Sequence, residues 1–280
     1  MNTILLSVII LGGIGFLGVL ILYFASKKFE VYEDSRIIQI QNILPAANCG
    51  ACGFPGCSGF AAATVKSSSL DGLHCPVGGN AVMTRIAETL GQNVSQVMQQ
   101  IAVVRCNGSC ENRRRINKYD GEKTCFIASG LYGGETPCSF GCLGYGDCTK
   151  VCSFDAIRMN DETRLPEIDE EKCTACGKCI KACPKLLIEL RKQGPKSRRI
   201  YVSCVNKDKP AVAMKACKVS CISCKKCEKV CSFEAIIIEN NLAYIDDNKC
   251  RLCRKCVSEC PNYAIKELNF PIKKEKVENI

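Results

Sequence analysis

Cysteines in this sequence come in runs. CTACGKCIKACP places Cys173, Cys176, Cys179 and Cys183 before Pro184, and CRLCRKCVSECP repeats the spacing with Cys250, Cys253, Cys256 and Cys260 before Pro261. Thiolates set this closely can form disulfides, hold zinc, or hold an iron–sulfur cluster that moves electrons, and each option makes its own demand. Lasting disulfides require an oxidising compartment and an even number of partners, but the cysteine total here is 25. Structural zinc usually pairs two neighbouring ligands with two distant ones, whereas each of these stretches gathers four cysteines. The pattern C-x2-C-x2-C-x3-C-P is instead one of iron–sulfur ligation.

Both stretches resemble those of two-cluster bacterial ferredoxins, in which the first three thiolates bind one 4Fe–4S cubane and the fourth binds its neighbour. Each motif therefore needs a partner. CISCKKCEKVC supplies it for the second stretch, giving one cluster on Cys221, Cys224, Cys227 and Cys260 and another on Cys250, Cys253, Cys256 and Cys231. The earlier copy departs from this pattern, because CSFGCLGYGDCTKVC has Tyr145 where Cys224 stands in the repeat. Cys138 is the nearest substitute in sequence. The expected sets are then Cys138, Cys142, Cys148 and Cys183 for one cluster, and Cys173, Cys176, Cys179 and Cys152 for its neighbour. The duplication extends beyond the cysteines, as VCSFDAI at 151–157 against VCSFEAI at 230–236, each read as a helix-end cysteine, a turn and a short strand.

A different arrangement precedes these repeats. NCGACGFPGC and the following HCPVGG provide Cys49, Cys52, Cys57 and Cys75, with enough intervening chain to close round a single cubane. Gly50, Gly53 and Gly56 let the backbone crowd inorganic sulfides and aim N–H groups at them. Zinc competes for this run, and the all-thiolate set at short spacing favours iron–sulfur. Cys106, Cys110, Cys125, Cys204 and Cys217 remain. Cys106 and Cys110 stand about one helical turn apart and Cys125 follows a short loop, so one expectation is a sixth cluster on Cys106, Cys110, Cys125 and either Cys217 or Cys204. The other is that some of these are free buried thiols, leaving five clusters. His74 is the single histidine, which excludes a Rieske centre because that needs two. Beside Cys75 it could tune a cluster by a hydrogen bond, but only its placement argues for that, and an ordinary exposed histidine is the favoured reading.

These loops need elements to hold them, and the composition offers little bulk for a core. Tryptophan is absent and aromatic residues make up 6%, so modules of about fifty residues must be held by their metal centres. The expected class is α+β, with one N-terminal transmembrane helix, a small 4Fe–4S module and two ferredoxin-like two-cluster modules with much irregular structure. ILLSVIILGGIGFLGVLILYF, residues 4–24, carries no charge and would rise roughly 31 Å as a helix, the hydrocarbon thickness of a bilayer. Residues 1–3 lack Lys and Arg and no A-x-A site closes the run, which argues against a cleaved signal peptide. Lys27 and Lys28 follow at once, so the positive-inside rule places a single-pass protein in the plasma (inner) membrane with its large part in the cytoplasm. Gly13, Gly15 and Gly18 spell G-x-G-x-x-G, but inside an apolar run, and read as small residues for helix packing rather than a dinucleotide site.

The expected division is an anchor at 1–26, a 4Fe–4S module at 27–102, a bridging segment at 103–137, ferredoxin-like modules at 138–191 and 217–268 separated by a linker at 192–216, and a tail at 269–280. Glu30, Glu33 and Asp34 lead into a short helix at RIIQIQNIL, while AVMTRIAETL and then VSQVMQQIAVV carry helical apolar spacing and are expected to pack over the first cluster loop. The linker holds a short strand, IYVSCV, and the lysine-rich KKEKVENI is expected to be disordered. A net charge of +10 would ordinarily suggest nucleic acid or anionic lipid, yet six oxidised cubanes at about −2 each would nearly cancel it. No nucleic-acid module is recognisable either, so nucleic acid is excluded as a partner. Lys225, Lys226, Lys229, Arg251, Arg254 and Lys255 surround the last clusters, either as a docking face or as a solvated surface.

With its parts in this order the chain resembles the B subunits of the Rnf complex, the membrane-bound ferredoxin:NAD oxidoreductase that couples electron flow to sodium or proton transport. The carrying features are the N-terminal span, NCGACGFPGC with HCPVGG, and the cysteine array from Cys138 to Cys260; they cover nearly all of the chain and match the longer form with duplicated ferredoxin modules. The resemblance implies an electron-relay subunit of a translocase. Electrons would enter from reduced soluble ferredoxin, pass through 4Fe–4S clusters and leave for membrane and flavin-bearing partner subunits, ultimately reaching NAD. Tyr145 departs from the usual ferredoxin pattern, as do Ser153 and Ser232 where proline often follows the fourth cysteine; the serines alter only turn stiffness. Independently of the family, no flavin or nicotinamide site, no nucleophile with its base and no transmembrane carboxylate is readable, so the chain holds no complete active site. The alternative is a polyferredoxin subunit of a membrane hydrogenase or formate dehydrogenase, which need not share the Cys49–Cys75 module. A zinc-based scaffold would carry zinc and no iron.

Overall fold

The computed structural model describes residues 2–28 and 34–271. Glu30 and Glu33 of the connector, and KKEKVENI of the tail, lie outside the described residues. Helix α1 (Asn2–Lys28) has its only charges, Lys27 and Lys28, in its last turn. Leu11, Phe16, Leu22 and Phe24 all stand exposed, and none of the span Leu5–Lys28 is buried against the rest of the chain. A helix that is apolar on every side and unburied among the described residues is suited to lipid. A methyl group added at Gly13, Gly15 or Gly18 would meet nothing within 4 Å among the described residues beyond its own helix backbone, so these glycines make no packing contact there.

The first module is a small helical shelf. Asp34 caps α2 (Ser35–Ile43) by accepting a hydrogen bond from the Arg36 N–H at 2.9 Å. Ile40 of α2 meets Phe60 of α3 (Gly56–Lys66) and Met83 and Ile86 of α4 (Gly79–Leu90), and Cys75 belongs to the same core. Helix α4 stops where Gly91 takes φ 64 and its N–H returns to the carbonyls of Ala87 and Glu88. The sequence VSQVMQQIAVV does not continue the helix. Its end is strand β1 (Gln100–Val104), antiparallel to β4 (Ile188–Lys192) with Ala102 opposite Leu190. Ala102 packs with Ile157 and Ile188 on one face, while Ile101 and Val103 pack with Tyr201 on the other. With both faces covered, the run is apolar throughout and loses the alternation that would mark a strand.

Two similar halves follow. After α5 (Cys125–Leu131), the first is built from α6 (Asp147–Lys150), the hairpin of β2 (Ile157–Met159) and β3 (Pro166–Ile168), α7 (Lys178–Ala182) and then β4. Strand β5 (Arg199–Val202) and α8 (Pro210–Ala216) lead to the second, made of α9 (Lys226–Lys229), the hairpin of β6 (Ile236–Glu239) and β7 (Leu242–Ile245), α10 (Lys255–Ser258) and β8 (Ile265–Leu268). Each half gains a strand from the segment before it: β1 pairs with β4, and β5 pairs with β8 with Val202 opposite Ile265. The seam between the halves is charged. Arg191 and Arg105 both lie over the Tyr244 ring, at 4.6 and 5.2 Å from its centre, and Arg191 also donates to the Ile245 carbonyl.

Candidate metal centres

The cysteine loops hold backbone conformations that few side chains adopt willingly. On either side of the second position of each cysteine run, which is Tyr145 in the first and a cysteine in the other three, stands a residue at positive φ: Gly144 and Gly146, Ala175 and Gly177, Ser223 and Lys225, Leu252 and Arg254. For a non-glycine residue this costs on the order of 1 kcal/mol or more. Such turns aim successive N–H groups inward, a cradle for negative charge. The fourth cysteines share a second device, with positive φ three residues on at Asp155, Leu186, Glu234 and Tyr263. There the N–H of Ala156 donates to Cys152 Sγ at 3.4 Å, that of Leu187 to Cys183 Sγ at 3.4 Å, and that of Ala264 to Cys260 Sγ at 3.3 Å. Hydrogen bonds of this kind tune an iron–sulfur centre by favouring its more negative state.

The thiols gather as follows. Cys221, Cys224, Cys227 and Cys260 line one cavity, and Cys231, Cys250, Cys253 and Cys256 line another. Burial pushes the Cys227 thiol up to about 11 and the Cys256 thiol up to about 12, and in each case the neighbouring thiols add to the rise. Cys179 is pushed up to about 11 by burial, with Cys173, Cys176 and Cys152 as its neighbours. In the first module burial raises Cys75, and Cys52 and Cys49 contribute. Cys52 and Cys57 pack against the core that holds Cys75. The Cys57 N–H donates to Asn48 Oδ1 at 2.8 Å, and a methyl group at Gly56, which has φ 82, would come within 2.9 Å of that oxygen. Gly78 N–H donates to Cys75 Sγ at 3.4 Å.

The set expected around Cys138 is arranged differently. Cys142, Cys148 and Cys183 line a cavity whose fourth cysteine is Cys125, from the start of α5. Burial pushes Cys148 up to about 12, and Cys125 and Cys183 add to the rise. Burial raises the Cys125 thiol, the nearby backbone of Asp147 and Tyr145 opposes the rise, and the start of α5 thus fills the position that the Tyr145 side chain leaves without a thiol. Cys138 instead lines a separate cavity with Cys106, Cys204 and Cys217. Cys110, expected beside Cys106, is exposed, with its sulfur 3.8 Å from the Thr163 carbonyl. His74 is half-buried rather than exposed, and burial lowers its pKa. It faces a cleft between the first module and the loop of Cys173 and Cys176.

The donor set suits iron–sulfur clusters better than zinc. Among the described residues no three His, Cys, Asp or Glu side chains converge on a point that a single metal ion could occupy. A tetrahedral zinc draws its thiolates to about 2.3 Å from one centre, whereas a cubane keeps them further apart at its corners. Burial raises these thiols, and a bound iron–sulfur centre would supply the positive charge that lets them ionise.

Comparison with known proteins bears on the same loops. Residues 44–72 match a family described as "Putative Fe-S cluster", and residues 138–187 and 220–265 each match a "4Fe-4S dicluster domain". The B subunit of the Na(+)-translocating ferredoxin:NAD(+) oxidoreductase complex of Acetobacterium woodii is 44% identical over 95% of this chain and 78% of its own length. The B subunit of the ion-translocating oxidoreductase complex of Methanosarcina acetivorans is 37% identical over 92% and 96% of the two chains. That of the proton-translocating ferredoxin:NAD(+) oxidoreductase complex of Clostridium ljungdahlii is 36% identical over 96% and 94%.

Proposed function

The chain belongs to the B subunits of the Rnf-type ion-translocating oxidoreductase complexes, and on that premise we propose that it carries single electrons from reduced ferredoxin to flavin-bearing membrane partners and ultimately to NAD. It is an electron-transfer subunit of an oxidoreductase complex that contains 4Fe–4S dicluster domains and associates with a membrane. A bound 4Fe–4S cluster supplies one-electron chemistry, exchanging an electron without making or breaking a bond to substrate. The protein's own residues do the rest. The thiolates of Cys49, Cys52, Cys57 and Cys75 hold the first cluster, Cys152 with Cys173, Cys176 and Cys179 another, and the two sets of the second ferredoxin-like half two more. Cys125, Cys142, Cys148 and Cys183 hold a further one. Apolar neighbours such as Ile157, Ile188 and Ile236 keep water from the thiolates.

The observation that carries the choice of entry point is exposure. Cys224 and Cys253 are exposed, and the exposed Lys225, Lys226, Lys229, Arg251 and Lys255 stand round them. A basic rim beside an accessible cluster suits a small acidic carrier, because complementary charge speeds encounter. Ion transport falls to the partners, since α1 contains no acidic residue. The soluble part faces the cytoplasm, as Lys27 and Lys28 at the end of α1 favour. A hydrogenase or formate dehydrogenase polyferredoxin is the weaker reading, because the match at 44–72 has no necessary place in it. Stopped-flow mixing of the anaerobic full chain with reduced ferredoxin tests the proposal: bleaching of the cluster absorbance within the dead time or shortly after supports it, and no reduction by ferredoxin overturns it.

A further inference from the structure

Cys106, Cys204 and Cys217 lie outside all three matched segments, and Cys138 stands at the first residue of the second. Chain topology nonetheless brings these four together at the seam of the two ferredoxin-like halves. Cys106 follows β1, which is hydrogen-bonded into the first half, and the Arg105 N–H continues that pairing by donating to the Leu187 carbonyl at 2.7 Å. Cys204 follows β5 in the equivalent place in the second half, where the Ser203 N–H donates to the Ala264 carbonyl at 2.8 Å. The Asn107 N–H donates to the Ser203 carbonyl at 3.1 Å and joins the two strand ends. Cys217 closes α8, and Cys138 opens the first half.

Cys204 shares the apolar core of the second half, yet a polar and a charged side chain are buried against this group of thiols. Cys138, Cys204 and Cys217 are buried. Asn206, only 1% exposed, donates its side-chain amide to Cys138 Sγ at 3.5 Å. Arg113 is buried as well, its guanidinium donating to the carbonyls of Gly108 and Cys142 and to Thr136 Oγ1 at 3.1 Å. A methyl group at Gly108 would touch both Arg113 Cδ, at 3.0 Å, and Cys217 Sγ, at 3.4 Å, so the two side chains meet across that glycine. Among the described residues no carboxylate pairs with Arg113. A buried guanidinium without a counter-charge is costly, and four thiolates on a cubane, at about −2 in total, would neutralise it.

We propose that Cys106, Cys138, Cys204 and Cys217 hold a further 4Fe–4S cluster that bridges the two ferredoxin-like halves, with Arg113 as its counter-charge. The inference deepens the relay reading and rests on its iron–sulfur premise. Cys106 neighbours Cys142 of one flanking set, and Cys204 neighbours Cys221 of the other. A one-electron carrier at the seam thus links the halves: one electron leaves the donor side, one arrives on the acceptor side, and no bond changes.

The test uses the full chain prepared without oxygen. Iron should reach about 24 per chain, and Cys138→Ala, Cys204→Ala and Cys217→Ala should each lose about four iron and the same EPR signal. Cys125→Ala should lose a different signal, and Cys110→Ala none. Arg113→Gln keeps all four thiols; it should retain the iron and move the midpoint of that signal to more negative potential, with Arg113→Lys restoring it in part. About 20 iron in the unaltered chain, zinc at this site, or one signal lost in common by the Cys138 and Cys125 variants overturns the proposal while leaving the relay standing. An iron-free chain removes both.

Discussion

The two ferredoxin-like halves share one loop geometry and differ in what occupies it. After the second position of each cysteine run, Tyr145 in the first, the backbone is left-handed. The first half places Gly146 and Gly177 there, and the second places Lys225 and Arg254. Glycine adopts that conformation freely, while for a lysine or arginine it costs on the order of 1 kcal/mol. The cationic side chains sit beside the exposed Cys224 and Cys253, whereas Tyr145 replaces the equivalent cysteine in the first half and the fourth cysteine of that cavity comes from α5. Arg254 is further tied down, paired with Glu267 and lying 5.0 Å from the centre of the Phe270 ring. On the proposed reading, the second half is organised for contact with an outside carrier and the first for contact with the rest of its own chain.

The largest effect that could break this contrast comes from deleting a ligand in each half. Cys224→Ala should lose about four iron and slow reduction by ferredoxin at least tenfold, whereas Cys142→Ala should lose as much iron and leave the initial reduction rate nearly unchanged. Equal slowing in both variants would remove the distinction between an entry half and an interior half; anaerobic stopped-flow absorbance reads it. A smaller effect is expected from charge alone. Replacing Lys225, Lys226 and Lys229 together by glutamine should lower the second-order rate with reduced ferredoxin about tenfold at low salt and flatten its dependence on ionic strength, and replacing Lys178 and Lys181 should do neither.

Much of this is legible in the residues alone. The crossed grouping expected from the short spacing is the one in which Cys260 shares a cavity with Cys221, Cys224 and Cys227, and Cys231 one with Cys250, Cys253 and Cys256, and the apolar helix declares itself by length and lack of charge. What stays hidden depends on distant parts of the chain. Cys125 reaches the Cys142 set only because α5 folds back over the Tyr145 turn, and nothing in the spacing between them signals it. Cys138 is nearest in sequence but faces the seam, where Asn206 and Arg113 arrive from other segments. Strand β1 resembles a helix in its pattern because Ile101, Ala102 and Val103 are buried on both faces. Its partner β4 lies far along the chain, beyond the range over which a local apolar pattern can be interpreted.

The smallest expected effects concern the left-handed positions themselves. Gly177 has open space where a methyl would go, so Gly177→Ala should cost about 1 kcal/mol through backbone strain alone. Lys225→Gly should stabilise the second half by a similar or smaller amount while removing a charge from the docking face. Denaturant midpoints of the metallated chain under anaerobic conditions measure both, and opposite signs are predicted.

The central claim is that the soluble part is an iron–sulfur relay. It is tested most directly by iron, sulfide and zinc analysis of the anaerobically purified full chain, with an EPR-monitored redox titration on the same sample. Equal iron and acid-labile sulfide at about 20 or more per chain, with signals that appear on reduction, is the predicted result. A colourless chain that folds with zinc, or with no metal, would contradict it.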